Sequence, residues 1–406
     1  MSRKISLLLF IFVLFLTLGG IAGYIFWKNT LPLVSPIALI EVMTGTSPAI
    51  NSKKIVYGFF PYWNLKMSED LNINQLTHFA YFAIDMNPDG TINKVNNNKE
   101  QEPGWNKLNS KAFEKLLYQT KVLGQKSVIT VTAMDQDTIS SLTENPQKSL
   151  TAVSSIMDIY RSKKFDDINI DFEYVGEPTK QTRDGFTFFI KSLKAACLSV
   201  NSNCEIDIDV FADSAEKYRL WDLQALEPLT NHIIVMAYDY YRKSSTQAGP
   251  VAPLRGKCNP NTMQEVCLNQ DILTHISQFS KILPSEKIIL GIPFYGYEWQ
   301  TASENYLANT YPGTGSMASY SRIQSLFSNP KVSSISAQWS DLSLSPFLTY
   351  KEDGETFLIQ YENAQSIDQK IKLVKSANLG GIAIWALGYE THYQELWQSI
   401  KSLTTP

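Results

Sequence analysis

The chain has 406 residues, of which 44% are hydrophobic and 18% are charged, so it can bury a large core as one large or two ordinary domains. Its formal net charge of -3 gives no electrostatic reason to expect nucleic acid as a partner. No polybasic patch for anionic lipid lies beyond the N-terminus. Composition therefore favours a globular protein and argues against the classes that bind nucleic acid.

The first element is an almost unbroken apolar run from Ile5 to Trp27, which follows an arginine and a lysine. About 20 apolar residues suffice for a helix to span a bilayer. The cationic lead predicts that the N-terminus stays in the cytoplasm and the rest of the chain lies outside. A cleaved signal peptide is the alternative, because Gly20 and Ala22 offer small residues at a usable cleavage spacing. We predict an anchor or signal peptide over residues 1–28, with a single-pass membrane protein or a secreted one as the result.

A linker follows this segment. Residues 29–54 contain Pro, Ser and Thr without sustained periodicity, which is typical of a tether. The folded domain is predicted to begin at Ile55 and to run to residue 404.

From Ile55 onward, apolar β-branched runs alternate with amphipathic segments. The predicted strands are Ile55–Trp63, Leu76–Asp85, Ser127–Met134, Phe165–Tyr174, Glu205–Phe211, His232–Tyr240, Lys287–Tyr297 and Gly381–Leu387. Predicted helices include Lys111–Gly124 and Ser366–Asn378. Eight strands with crossover helices predict an α/β fold, a closed parallel (β/α)₈ barrel of the TIM type in one domain. An open doubly wound sheet is the alternative, but it would normally have a Gly-rich turn after its first strand, where this chain reads Phe-Pro-Tyr-Trp.

The interval between the seventh and eighth predicted strands is far longer than the others. Residues 300–360 are rich in Ser, Tyr, Gly and Asn, and Phe357–Tyr361 near their end has the composition of a strand. We predict a small insertion here that lies over the cleft.

The four cysteines form two close pairs, Cys197 with Cys204 and Cys258 with Cys267. Four cysteines permit three connectivities, and short loops outside a membrane make nearest-neighbour pairing the simplest. A metal site would need His or further Cys nearby, and none is found. We predict two disulfides on an exported domain, with free thiols as the alternative.

The fourth strand, FDDINIDFEYV, has one polar and one apolar face. With a period of two, Asn169, Asp171 and Glu173 share a face, and the isoleucines and phenylalanine between them share the other. Carboxylates two residues apart on a strand lie roughly 6 to 7 Å apart, close enough to raise one pKa and share a proton. A strand with its polar side in water would show the same alternation. It would, however, tend to include Lys or Arg at those positions, and none occurs here.

The spacing of Asp166, Asn169, Asp171 and Glu173 resembles the acidic signature D-x-x-D-x-D-x-E of glycoside hydrolase family 18, which comprises chitinases and related N-acetylglucosaminidases. Two positions depart from the pattern. Asp167 stands where the family usually has Gly, and Asn169 stands where it usually has Asp. Asn at this position is also familiar in the branch that includes spore-cortex peptidoglycan glucosaminidases and chitobiases, so the departure concerns the substrate more than the activity.

Other predicted strands resemble the family at their carboxyl ends, where barrel enzymes place their active sites. The sixth has Met236, Tyr238 and Asp239, which resemble the segment M-x-Y-D, and the seventh resembles G-x-P-x-Y-G and ends at Tyr297. In the eighth, Trp385 stands where the family has its sugar-stacking tryptophan. The third strand, VITVTAMD, lacks the family's S-x-G-G ending.

The resemblance implies that Glu173, Asp171 and Tyr238 are catalytic and that no metal or cofactor is needed. Ordinary retaining glycosidases use a second carboxylate about 5 Å from the acid, and acids from one strand face fit this poorly. The family instead uses the substrate's own 2-acetamido group as nucleophile. Glu173 would then be both acid and base. Asp171 would hold the N–H of the acetamido group, and Tyr238 would hydrogen-bond the carbonyl oxygen of the same group. The implied substrate-binding residues are Asn169, Tyr174, Met236, Asp239, Tyr297, Trp385 and Phe59.

We therefore predict a monomeric glycoside hydrolase of the chitinase or endo-β-N-acetylglucosaminidase type, outside the cytoplasmic membrane. Its partner is a polysaccharide that contains β-1,4-linked N-acetylglucosamine, either chitin oligomers or peptidoglycan. Peptidoglycan is favoured slightly by the tether and by Asn169 and Tyr297. The alternatives are a glycan-binding lectin that has lost turnover and a structural adaptor. Lectin-like relatives commonly lose the acid, whereas this chain keeps Glu173.

Overall fold

The computed structural model describes residues 54–68, 71, 73–95, 98–258 and 266–404. The predicted anchor over residues 1–28 and nearly all of the predicted linker lie outside them. Within this described part, we find no helix with the length and apolar character needed to cross a membrane.

Eight parallel strands close into a barrel. They are β1 (Ile55–Pro61), β2 (His78–Asp85), β3 (Lys126–Ala133), β4 (Asp167–Phe172), β5 (Ile206–Phe211), β6 (His232–Met236), β7 (Ile288–Pro293) and β13 (Gly381–Trp385). Each strand is hydrogen-bonded to the next one in this order, and β13 closes the ring on β1, with Gly381 beside Ile55. The predicted (β/α)₈ barrel is confirmed, and the open-sheet alternative is excluded.

The helices surround the barrel, except for the one that begins at Tyr320, which packs in the core of the inserted sheet described below. They are α1 (Pro103–Leu108), α2 (Lys111–Val122), α3 (Gln136–Glu144), α4 (Pro146–Lys163), α5 (Lys180–Val200), α6 (Leu223–Leu226), α7 (Ile272–Phe279), α8 (Tyr320–Leu326), α9 (Ala364–Ser376) and α10 (Glu395–Thr404). Both predicted helices are present, as α2 and α9. Between β1 and β2, the described residues form only two 3₁₀ turns. In the first of them, buried Asn64 donates from Nδ2 to the carbonyl of Leu387 (2.8 Å), which ties this connection to the segment just after β13.

The alternation in β4 decides which side chains face the barrel axis. Its isoleucines and Phe172 are fully buried against the helical layer, where Phe172 stacks on Phe189 of α5 with ring centroids 5.4 Å apart. The start of α5 is fixed by Thr179, whose side chain accepts a hydrogen bond from the backbone N–H of Thr182. With the apolar face held in this way, the polar face of β4 is turned into the barrel.

An antiparallel sheet is inserted between β7 and β13. Its strands are β8 (Tyr295–Gln300), β9 (Ser316–Ser319), β10 (Val332–Ser340), β11 (Ser345–Glu352) and β12 (Glu355–Gln360), and their spatial order is β10-β11-β12-β8-β9. The predicted seventh strand was too long, because the chain leaves the barrel after Pro293 and Tyr295 begins this second sheet. The insertion has its own core cluster, which includes Leu348, Tyr350 and Ile359, so it is larger and more ordered than the sequence indicates.

Both predicted disulfides are confirmed. Cys197, near the end of α5, is bonded to Cys204 just before β5, with Cα atoms 5.9 Å apart. Cys258 is bonded to Cys267 in the connection between β6 and α7, with Cα atoms 5.0 Å apart. The bridged cysteines are close in sequence, 7 and 9 positions apart.

Candidate active site

A cavity of about 290 Å³ opens at the carboxyl ends of the barrel strands. Asp171 projects into it from β4, and Glu173 stands directly after that strand, at the mouth. Asp171 is 3% exposed and Asn169 is fully buried, so the polar face of β4 is not a solvated strand face. The alternation seen in the sequence therefore lines the interior of the barrel.

Seven of the ten predicted site residues line this cavity: Phe59, Asp171, Glu173, Met236, Tyr238, Asp239 and Trp385. Three do not. Asn169 lies one step deeper on β4, where it is fully buried and its side chain lies against Asp209. Tyr297 is buried on β8, and its hydroxyl donates to Asp239 Oδ1 (2.9 Å). Tyr174 is half-buried and packs on the barrel core.

Four further residues line the cavity that the family resemblance did not indicate: Phe82, Met134, Asp209 and Tyr295. Asp209 comes from β5, beside β4, and is 3% exposed. Tyr295 belongs to the inserted sheet, and its hydroxyl donates a hydrogen bond to Asp239. Asp239 thus accepts from two tyrosines of β8, which joins the insertion to the site.

Aromatic rings form one wall of the cavity. Trp385, at the end of β13, is packed edge-on against Phe82, with ring centroids 4.5 Å apart, and also lies 6.0 Å from the ring of Phe59. Trp63 extends this group outward, at 6.4 Å from Trp385, and is 47% exposed. Aromatic faces of this kind suit the apolar faces of a sugar ring.

Comparison with known families decides how this arrangement is classified. Residues 55–390 match the model of the family described as glycosyl hydrolases family 18. The chain belongs to glycosyl hydrolases family 18. The resemblance drawn from the acidic motif is therefore confirmed.

Two relatives and one solved structure illustrate the membership. A protein of Bacillus subtilis named as a sporulation-specific glycosylase, YdhD, is 24% identical over 367 residues, covering 88% of this chain and 77% of its own. A chitinase-like effector of Moniliophthora roreri is 23% identical over 411 residues, covering 89% of this chain and 95% of its own. A family 18 chitinase of Cycas revoluta, solved in complex with (GlcNAc)4, is similar in structure with a TM-score of 0.71 at 19% identity, over 86% of this chain and 99% of that one. That likeness shows the shared fold.

Burial raises the pKa values of Asp171 and Glu173, the two acids at the end of the family 18 motif. It is the main cause of the raised pKa of Asp171, and the charge of Glu173 adds to it. Burial also raises the pKa of Glu173, the positive charge of Arg242 lowers it, and the charge of Asp239 raises it. Glu173 therefore keeps its proton to higher pH than an exposed glutamate, as a group that must donate a proton near neutral pH requires.

Tyr238 offers a neutral donor to the same cavity. Burial and the nearby carboxylates, Asp209 and Asp171 first, raise its pKa well above the ordinary tyrosine value. Its phenol therefore stays protonated and can donate a hydrogen bond to a substrate oxygen.

A second cavity of about 530 Å³ adjoins the first on the other side of Glu173. The two share Glu173, Met236, Tyr238 and Asp239, and the second is also lined by Arg242 and by residues of the connection after β6. Glu173 thus stands between two spaces that are each lined by polar and aromatic groups. This placement suits a proton donor for a bond that joins two sugar units.

A possible metal-binding group lies elsewhere, around the amino ends of the strands. Among the described residues, His78, Asp167 and Glu205 bring ligand atoms within 4.8 Å of one another. The ammonium of Lys126 lies 3.1 Å from Asp167 Oδ2 and 3.7 Å from Glu205 Oε1, so this chain supplies its own cation to that group. We assign it no part in the reaction.

Proposed function

We propose that this family 18 protein is a retaining glycosidase that hydrolyses β-1,4-linked N-acetylglucosamine glycans with assistance from the substrate's 2-acetamido group. The observation that supports this most directly is the convergence of Asp171, Glu173 and Tyr238 on one cavity beside Trp385. One residue can donate a proton, one can balance a positive charge, and one can hold a carbonyl oxygen.

In the proposed reaction, Glu173 donates its proton to the glycosidic oxygen as the C1–O bond breaks. The acetamido carbonyl oxygen of the same sugar attacks C1 and forms a cyclic oxazolinium ion. Asp171 accepts a hydrogen bond from the acetamido N–H and offsets the positive charge of the oxazolinium ion. Tyr238 donates a hydrogen bond to the acetamido carbonyl oxygen before that oxygen attacks C1. Glu173, now a carboxylate, takes a proton from a water molecule. The oxygen of that water attacks C1 and breaks the C1–O bond of the oxazolinium ring, so after two displacements the configuration at C1 is retained.

An enzyme-supplied nucleophile fits the same residues less well. Asp171 comes from the same strand face as Glu173, whereas a nucleophile must reach the opposite side of the sugar from the acid. Asp239 already accepts hydrogen bonds from Tyr295 and Tyr297 at one oxygen. Asp171 and Asp239 are therefore better placed to influence the pKa of Glu173 and to orient the substrate than to form a glycosyl ester.

Peptidoglycan is the favoured natural substrate. The second cavity contains Arg242, whose side chain is 64% exposed and lies close to the acid end of the site, with its Nε 3.9 Å from Asp239 Oδ2. A guanidinium at this point suits a neighbouring sugar that has a carboxylate, as muramic acid does, and chitin has none.

Product analysis with chitin oligomers beside purified peptidoglycan tests the proposed function. We expect N-acetylglucosamine at the new reducing ends, in the β-configuration when first released. A second candidate function is that of a lectin, which binds the glycan without cleaving it. One of the relatives is named a chitinase-like effector, not a chitinase. Binding of both glycans with no new reducing ends would favour the lectin.

Substituting Arg242 by Gln should separate the two substrates. We expect kcat/KM to fall by about fivefold on a muramic-acid-containing oligomer, the size expected for one exposed ion pair, and to change little on a chitin oligomer. Loss of the cation also raises the pKa of Glu173, so the basic limb of both pH–rate profiles should move to higher pH. Arg161→Gln, on the outer surface of α4, is the matched control. An equal loss on both substrates would argue against recognition of the carboxylate.

We further propose that the catalytic domain acts as a monomer outside the cytoplasmic membrane, held there by the N-terminal segment or released if that segment is cleaved. All residues of the proposed mechanism come from one chain, and the two disulfides suit an oxidising compartment. Protease added to intact spheroplasts should digest the domain, and unreduced peptides should show no free thiol. A protected domain with four free thiols would place it inside the cell.

A further inference from the structure

A third buried acid, Asp209, faces the catalytic pair from the neighbouring strand. β4 and β5 are paired in parallel, with Asn169 beside Asp207 and Ile170 beside Ile208. The next inward-facing position along this ladder brings Asp209 level with Asp171. Both side chains line the same cavity as Glu173.

The group formed by Asn169, Asp171 and Asp209 has unsatisfied polar atoms. Asp171 and Asp209 are each 3% exposed, and each has one carboxylate oxygen, Oδ1, without a hydrogen-bond partner. The side chain of Asn169 is also fully buried, and its amide lies against Asp209, whose pKa it lowers by hydrogen bonding while Asp209 Oδ1 stays without a partner. Buried polar atoms are rarely left in this state unless a proton or a ligand completes them.

Two adjacent carboxylates in this environment cannot both stay ionised. Burial and then the charge of Asp171 raise the pKa of Asp209 well above its usual value, a hydrogen bond from the Asn169 side chain opposes this rise, and the charges of Asp207 and Glu173 add to it. The pKa of Asp171 is raised in the same direction. Each carboxylate therefore disfavours ionisation of the other, which is the condition under which two acids share one proton.

The motif on β4 lacks the acid that this arrangement would otherwise use. Position 169, one step below Asp171, is Asn in this chain, and a neutral amide cannot exchange a proton with Asp171. The first acid of the D-x-D-x-E pattern is thus absent from β4, while an extra acid stands beside Asp171 on β5.

We propose that Asp209 is the positioning residue that shares a proton with Asp171 and replaces the acid missing at position 169. This inference rests on the proposed function. When the substrate enters, the proton stays on Asp209, so Asp171 is a carboxylate that can accept the acetamido N–H and balance the oxazolinium ion. Glu173 keeps its own proton for the leaving oxygen, and the number of protons on the Asp209–Asp171 pair does not change during turnover.

The first test is a transfer of the acid between strands. Asp209→Asn should lower kcat by about tenfold or more, because an amide cannot exchange a proton with Asp171. At the high pH of the basic limb, where the pair gives up its proton, Asp209 is a carboxylate beside Asp171 and Glu173. The amide lacks that charge, so the basic limb of the kcat profile should move to lower pH. Adding Asn169→Asp to Asp209→Asn should restore most of kcat and return the basic limb upward. Asp184→Asn, on the exposed side of α5 where Asp184 pairs with Lys180, is the matched control, and we expect it to leave kcat and the pH profile unchanged.

A readout without turnover keeps this inference separate from the proposed function. In the Glu173→Gln background at pH 7, difference infrared spectra between variants should show the C=O band of a protonated carboxyl group that disappears with Asp209→Asn and returns with Asn169→Asp. Thermal unfolding confirms that each variant is folded. An unchanged band in folded Asp209→Asn, or failure of Asn169→Asp to restore either the band or kcat, overturns the role of Asp209. If the band behaves as expected but the unmodified protein cleaves no glycan, the proposed function fails instead.

Discussion

Glu173→Gln should reduce hydrolysis of chitin oligomers and peptidoglycan by at least about 10³-fold, within the range expected for loss of a general acid. The amide fills the volume of the carboxyl group but has no proton to donate to the leaving oxygen and cannot take one from water. Both halves of the proposed reaction are lost together. Initial rates of reducing-end release measure the effect, and binding of (GlcNAc)4 by the variant, measured by calorimetry, shows that the cleft is still formed.

The matched control is Glu177→Gln, four residues along the chain, where the side chain is exposed and lines neither cavity. Its activity should equal that of the unmodified protein. Near-normal turnover by Glu173→Gln would show that another group is the acid, and Asp239 would be the next residue to test.

The same substitution should not destabilise the fold. A carboxyl group whose pKa is raised by folding binds more protons in the folded state, so it lowers stability as pH rises from its unfolded pKa through its folded pKa. At pH 7, replacement by a neutral amide removes that cost. We expect the melting temperature of Glu173→Gln to be equal to or above that of the unmodified protein, because residues kept for function often lower the stability of the fold.

The barrel was predictable because parallel strands buried on both faces appear in a sequence as nearly continuous apolar runs. Each of the eight predicted segments overlaps a barrel strand. The seventh shows the limit of this signal. Phe294 and Tyr295 continue the apolar pattern beyond Pro293, and periodicity cannot tell that Tyr295 pairs with Ser319 of the inserted sheet instead of a barrel neighbour.

The site was predictable where one strand presents a motif, and less so where separate strands meet. Asp171 and Glu173 follow from alternation in β4 alone. Asp209 does not, because its importance comes from lying beside Asp171, which is a property of the closed barrel. A signal was nevertheless present, since Asp207 and Asp209 alternate with isoleucine and valine as the polar residues of β4 do.

Arg242, unlike Asp209, had no signal in the sequence. It follows β6 in a connection with no periodic pattern, and its effect on the acid comes only from where that loop is placed in space. Single charges in loops have no sequence signature that separates them from ordinary surface residues.

The second large effect concerns C2 of the sugar that occupies the cavity beneath Glu173. Matched oligomers that differ only at this carbon should separate sharply. The N-acetyl form should be cleaved, whereas the free-amine and hydroxyl forms have no carbonyl oxygen to attack C1 and should be cleaved at least about 10³-fold more slowly, since they lose the intramolecular nucleophile. Rates with defined oligomers, modified at the single sugar on the non-reducing side of the scissile bond, measure this.

A thiazoline that mimics the oxazolinium ion should inhibit competitively and bind far more tightly than the oligomer, because mimics of unstable intermediates share contacts made near the transition state. Asp171→Asn should weaken the thiazoline more than the substrate, since Asp171 faces the positive charge only after the ring has closed. An enzyme nucleophile would instead leave a glycosyl ester on the protein, which mass spectrometry of quenched reactions detects. Such an ester on Asp171, Asp209 or Asp239 would falsify substrate assistance while leaving Glu173 as the acid, because protonation of the leaving oxygen is needed on either route.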